Sequence, residues 1–239
     1  MQWVDEGIIL SAHPLGDSSL RAILMTRAHG RHAGLVRGRQ ARAACQPGTI
    51  VQAAWRARLA DHLGTWTLEV TDAAAVSLMD DRNRLSALAS ACALVESLTA
   101  ERDASLNIYE DLRSLIALLG GEAWDIAYVR WELALLEHAG YPLDLSRCAA
   151  TGVTADLKYV SPRTGRAVSA EAGHAYADRL LPLPQFLAVP GLGGSPEEIH
   201  QGLMLTGTFL ARMLAQQGGG GPVPARERFL ARYRKAHAL

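Results

Sequence analysis

The sequence predicts an α+β fold: a small closed β-barrel first, then an α-helical bundle carrying a small irregular insertion. Three observations lead there. Five short runs before residue 72 alternate apolar and polar side chains, the apolar period changes to three and four from Asp80 onward, and Ser, Thr, Gly and Pro crowd into about residues 143–194. The expected domains are therefore 1–78 and 79–239, with the insertion inside the second.

In the first domain, Gly7–Ser11 is a β-branched apolar run closed by the turn-rich His13–Asp17. Ser19–Thr26 alternates Leu20, Ala22 and Leu24 against Arg21 and Ile23, and Ala28–Gly30 offers a tight turn into a third strand, Arg31–Arg37. A polar loop, Gly38–Gly48, leads to Thr49–Leu59, where Val51, Ala53, Trp55, Ala57 and Leu59 share one face. Gly64–Thr71 alternates Trp66, Leu68 and Val70 against threonines and Glu69. Five strands in so short a span suit a closed barrel, because closure removes exposed edges.

Beyond Asp80, Leu85, Leu88, Cys92 and Val95 mark an amphipathic helix, and Leu106, Tyr109, Leu112 and Leu115 mark a second that Gly120-Gly121 ends. Ala123–Ala139 is apolar on two faces, which predicts a central helix. Lys158–Ser169 reads as a small hairpin. Ser195-Pro-Glu-Glu198 is a capping box opening a helix to about Gln217. Gly218–Gly221 reads as a flexible joint and Arg226–His237 as a basic terminal helix.

The formal net charge is zero, from 24 basic and 24 acidic residues, yet the charges are segregated. From Ser18 to Ala60 there is no acid, while Arg21, Arg27, Arg31, Arg37, Arg39, Arg42, Arg56 and Arg58 all fall inside; Asp17 and Asp61 bound the run. Lysine occurs only at Lys158 and Lys235, so arginine identity is a habit of the whole chain and only its placement is informative. That placement, on strands and on the Gly38–Gly48 loop, predicts a face for a polyanion, most simply nucleic acid. Trp66 is a candidate for stacking on bases, whereas the alternation around Trp55 predicts core.

Several classes are disfavoured. No apolar run reaches membrane-spanning length and no signal peptide opens the chain, so a cytoplasmic, nucleoid-associated protein is expected. Cys45, Cys92 and Cys148 are odd in number and far apart, which does not suit a disulfide framework. Gly-x-Ser-x-Gly, a phosphate-cradling Gly-x-x-x-x-Gly-Lys and His-Glu-x-x-His are absent, so no catalytic residues and no cofactor are expected. An RNA-binding barrel protein of translation or ribosome assembly is the principal alternative, and a metal-dependent hydrolase with an unfamiliar site a third.

The order of these segments resembles the bacterial RecO family. Gly7-Ile-Ile-Leu10, Leu15-Gly-Asp17-Ser-Ser-Leu20, Thr26-Arg-Ala-His-Gly30-Arg and Val36-Arg-Gly38 are similar to its amino-terminal pattern. Arg130-Trp-Glu-Leu-Ala-Leu-Leu-Glu-His-Ala-Gly-Tyr141 resembles its central helix, and Tyr159-Val-Ser-Pro162 with Gly165-Arg the segment that follows. The resemblance implies an oligonucleotide-binding (OB) barrel and a recombination mediator in DNA repair. Such a protein binds single- and double-stranded DNA and anneals complementary strands. With RecR it helps load RecA onto strands coated by single-stranded DNA-binding protein (SSB). It also implies that Arg130, assisted by Arg113, receives the acidic carboxy-terminal tail of SSB. Many members carry two Cys-x-x-Cys pairs after the central helix; here they read Cys148-Ala-Ala-Thr151 and Ser169-Ala-Glu-Ala172. One thiolate cannot make a four-ligand zinc site, so the insertion is expected to be a degenerate zinc finger without metal.

Overall fold

The computed structural model describes residues 1–16, 18–38, 43–59, 62–72, 78, 80–189, 191–216, 218 and 221–239. It divides into two compact units, residues 1–121 with 223–229 and residues 122–222 with 230–239. No helix among the described residues is long and apolar enough to cross a membrane.

The first unit is built on β1 (Gln2–Leu15), β2 (Ser19–Thr26), β3 (Gly30–Arg37), β4 (Ile50–Arg56) and β5 (Gly64–Asp72). They close into a barrel in the order β1-β2-β3-β5-β4, with β3 and β5 parallel and all other pairs antiparallel. This five-stranded ring is the OB arrangement. Closure depends on β1, whose residues 2–8 pair with β4 while residues 7–15 pair with β2. One strand serving two neighbours must be long and bent, and its register shifts between Ile9 and Ser11 as a bulge bends it. That explains why β1 exceeds the expected Gly7–Ser11 at both ends. Its first half alternates too weakly to read as strand, and His13–Leu15 pairs with Arg21–Ser19 instead of turning.

Ile9, Ala22, Leu24, Val36, Val51, Ala53, Trp55 and Trp66 fill the barrel. Two glycines make room for the indoles. A Cβ on Gly64 would lie 2.2 Å from Cε2 of Trp55, and one on Gly34 2.6 Å from Trp66. Each indole N–H is satisfied inside, Trp55 donating to the Ala33 carbonyl (3.2 Å) and Trp66 to that of Ala22 (3.4 Å).

Helix α1 (Arg82–Leu98) begins at Asp81, whose carboxylate accepts the backbone N–H groups of Asn83 and Arg84. Its buried stripe includes Leu88, Cys92 and Val95 and packs on β1 and β2. Ile23 and Met25, on the outer face of β2, are thereby buried as well. Helix α2 (Leu106–Leu118) completes this unit's helical layer.

In the second unit α3 (Trp124–His138) buries Tyr128, Val129, Trp131, Leu135 and Leu136, the two-faced pattern of a central helix. It packs on α4 (Pro196–Gln216), where Gly202 lets Val129 approach. The expected capping box is formed: Ser195 N–H donates to Glu198, and Glu198 N–H donates to the Ser195 hydroxyl. The insertion is more ordered than its composition suggests. β6 (Leu157–Val160) and β7 (Ala167–Ser169) form the expected hairpin, and β8 (Leu181–Pro182) adds a third strand to β6. The last helix, α5 (Pro224–His237), belongs to the first unit up to Phe229 and to the second from Leu230.

Candidate nucleic-acid interface

The arginines of the acid-free run divide into two groups. Arg27, in the β2–β3 turn, places Nη2 2.9 Å from Oε1 of Glu110 on α2. Arg31 donates from Nε to the Thr99 carbonyl, and its own carbonyl accepts from Arg102 N–H. These two hold the barrel to the helices beside it. Arg21, Arg37, Arg56 and Arg58 make no ion pair among the described residues, and all but the half-buried Arg21 are exposed. Arg39 and Arg42 lie outside the described residues, as do Asp17 and Asp61.

Strand register explains the exposure. On β4, Val51, Ala53 and Trp55 point inward, so Gln52 and Arg56 point out; Arg56 stands between Gln2 of β1 and Thr65 of β5. Arg58 follows where the strand ends. Together with Met1, Ala57, His62, Leu63 and Thr65 they line a groove of about 560 Å³. A second groove, about 520 Å³, is lined by Arg21, Ala33, Leu63, Glu101 and Arg102. Both grooves share Leu63, whose side chain is 42% exposed. The surface is therefore cationic on two sides of an exposed aliphatic residue, with Glu101 as the single acid among the described lining residues, beside Arg102 (4.0 Å). Such a surface can take phosphates on the guanidinium groups and a sugar or base edge on Leu63.

Trp66 does not belong to this surface. It is 3% exposed and faces the barrel interior, where its ring packs edge-on against Trp3, so no face is open to a base. Alternation alone does not say which face of β5 is interior, and that is why the residue passed as a stacking candidate. His62, Leu63 and Arg102 escaped sequence reading. His62 and Leu63 follow Asp61 beyond the acid-free run, and Arg102 sits between Glu101 and Asp103, where local charge hides it.

The two partner-site candidates are placed in different units. Arg113 lies in the first, its Nη1 2.9 Å from Oε1 of Glu6, which also accepts the Tyr109 hydroxyl. Its guanidinium is thus part of the barrel-to-helix contact. Arg130 lies in the second, exposed on α3, with Nη2 donating to the Phe186 carbonyl at 2.9 Å. Val189 and Leu192, a few residues beyond Phe186, are each 46% exposed.

In the insertion, Cys148 and Ser169, the first residues of the two Cys-x-x-Cys positions, converge. Ser169 donates its backbone N–H (3.3 Å) and its hydroxyl (3.5 Å) to the Cys148 sulfur. Burial pushes the pKa of that thiol up, but hydrogen bonds from Ser169 and Thr151 outweigh it and bring the pKa down to about 6. Among the described residues, no group of three His, Cys, Asp or Glu side chains is arranged to hold a metal.

Two family models cover the chain: the amino-terminal domain of recombination protein O matches residues 1–74 and its carboxy-terminal domain residues 79–218. The chain belongs to the RecO family. It is 50% identical to a DNA repair protein RecO of Rhodospirillum centenum, over 99% of this chain and 96% of that protein. It is 46% identical to that of Rhodospirillum rubrum (98% and 97% covered) and 45% identical to that of Methylocella silvestris (98% and 97%). RecO membership carries a role in DNA repair and recombination.

Proposed function

We propose that this chain is a non-enzymatic recombination mediator whose barrel edge binds DNA strands without regard to sequence. The pair of cationic grooves meeting at Leu63 carries this reading. Arg56, Arg58 and Arg21, joined by Arg37 at the end of β3, contact phosphates; Trp66 and the clamp residues Arg27 and Arg31 do not. Arg39 and Arg42, which follow β3 in sequence, belong to the same acid-free run and extend the phosphate contacts. Single and double strands both fit, because backbone contacts position a strand and read no bases.

Around this activity stand the partners implied by RecO kinship. RecR joins the chain in loading RecA onto SSB-coated strands. Arg130, an exposed guanidinium anchored on the Phe186 carbonyl, receives the acidic, aromatic-bearing SSB tail. Arg113 is engaged with Glu6 and is left out of that site. The chain works without cofactor, on the nucleoid in the cytoplasm.

Annealing of complementary SSB-coated strands, with and without this protein, tests the reading. Acceleration is expected. Binding of a single strand should weaken with salt at a log–log slope of about −4, from about six phosphates neutralised at about −0.7 each. A flat salt response, or a preference for structured RNA over DNA, would overturn it. Arg130→Ala should weaken tail-peptide binding and spare binding to bare DNA.

A further inference from the structure

Helix α5 carries a cationic face to which the reading above gives no task. One side of the helix is anchored: Phe229 and Tyr233 are buried, the Tyr233 hydroxyl donates to Oδ2 of Asp125 at 3.0 Å, and its ring stands edge-on to Trp124. On the other side Arg228, Arg232 and Lys235 follow one another at steps of four and three, with Arg234 between the last two. All four are exposed, and none has an ion-pair partner among the described residues. Glu227 is the helix's one acid.

Helix electrostatics accounts for part of this. Cations in the last turn favour the negative end of the helix dipole, which suits Arg234 and Lys235. Arg228, a full turn in from the start of the helix, gains nothing from the dipole. Arg228 and Arg232 also repel one another as like charges four residues apart. Folding alone gives no reason for that pair.

We propose that this face is a second backbone-binding site, for an unpaired DNA strand, so that one chain holds two strands, one at the barrel and one along α5. This rests on the strand-binding reading of the barrel. At about 1.5 Å per residue, Arg228 to Lys235 spans about 10 Å. That is the axial rise of about three phosphates of one strand in a stacked, duplex-like course, and fewer of an extended one. The remaining exposed positions are Pro224, Glu227, Ala231 and Ala236, so the face offers no aromatic or large aliphatic anchor. A protein partner normally needs such an anchor, whereas a phosphate backbone needs only the cations. Two strands held without base contacts are the substrates of annealing.

The test compares the full-length chain with the triple variant R228Q/R232Q/K235Q and the barrel variant R56Q/R58Q. Wild type should bind two labelled oligonucleotides per chain and anneal complementary ones. The triple variant should keep one strand with affinity within about two-fold, the barrel term of the salt response being untouched, and anneal at least about ten-fold more slowly. Its melting temperature should match wild type, because the substituted side chains are exposed, and R228K/R232K should anneal normally. A triple variant that binds two strands and anneals at the wild-type rate overturns the proposal and leaves the barrel reading standing. Loss of binding to an acidic peptide such as polyglutamate, with annealing intact, overturns it in favour of a protein partner. If wild type binds no DNA, both readings fall; if R56Q/R58Q binds as wild type does, the barrel reading falls and takes the two-strand arrangement with it.

Discussion

Arg27 lies 2.9 Å from Glu110, so an arginine from the middle of the acid-free run faces an acid carried by α2, more than eighty residues later. The pair is half-exposed and contributes no more than about 1 kcal/mol to stability. Its consequence is for binding: a guanidinium already beside a carboxylate attracts phosphate weakly. Arg27→Gln is therefore expected to leave single-strand affinity within about two-fold, whereas Arg56→Gln or Arg58→Gln weakens all sequences alike and makes the salt slope shallower by about 0.7. Fluorescence anisotropy at several salt concentrations separates them. Equal losses from all three would mean that the division into clamps and contacts is wrong.

Burial makes Trp66 a stability residue. Trp66→Ala should destabilise the barrel by about 3–5 kcal/mol, as for other buried aromatic truncations. Trp66→Phe keeps most of the ring volume and should bind DNA as wild type does. Urea melts paired with a binding titration read both effects. A Phe variant that folds normally yet loses affinity would show that the indole meets the strand.

Much of this was legible in the residues, and the parts that were not have physical reasons. Period-two alternation and the capping box are local signals, so β2, β4, β5 and the start of α4 could be read directly from Leu20–Leu24, Val51–Trp55, Trp66–Val70 and Ser195–Glu198. The length of β1 was hidden, because a strand that serves two partners need not be apolar along its whole course. The basic face was legible as missing acids. Which of its arginines are free was not, since Glu110 and the Thr99 carbonyl reach them only through the tertiary fold. For the same reason Arg102, embedded among acids in sequence, gave no sign that it lines a cationic groove.

His32 gives the barrel a pH dependence. It is 6% exposed, with Nδ1 lacking a hydrogen-bond partner among the described residues. Burial first, then the charges of Arg102 and His29, push its pKa down from 6.5 to about 4. The unfolded chain therefore takes up this proton before the folded one. His32 contributes its full stability above pH 6.5, and loses on the order of 3 kcal/mol as pH falls from there through 4. Thermal melts of wild type and His32→Gln between pH 7 and 4 should diverge in slope, the variant being less acid-sensitive. Parallel curves would mean that the imidazole is solvated.

Cys148 tests whether the insertion stands without metal. Its sulfur accepts two hydrogen bonds from Ser169, the residue that opens Ser169-Ala-Glu-Ala172. Protein purified without chelator should contain less than about 0.1 zinc per chain, since one thiol cannot complete a tetrahedral site, and adding chelator should leave the melting temperature unchanged. The hydrogen bonds have a signature of their own. They hold the thiol at about 6, below its ordinary 9, so the thiolate's contribution to stability is complete above pH 9 and is lost as pH falls through 6. Ser169→Ala removes the hydroxyl donor and should move the midpoint of thiolate ultraviolet absorbance upward, with less stabilisation across the same window. An unmoved midpoint, or stoichiometric zinc, would mean that something other than Ser169 holds the sulfur.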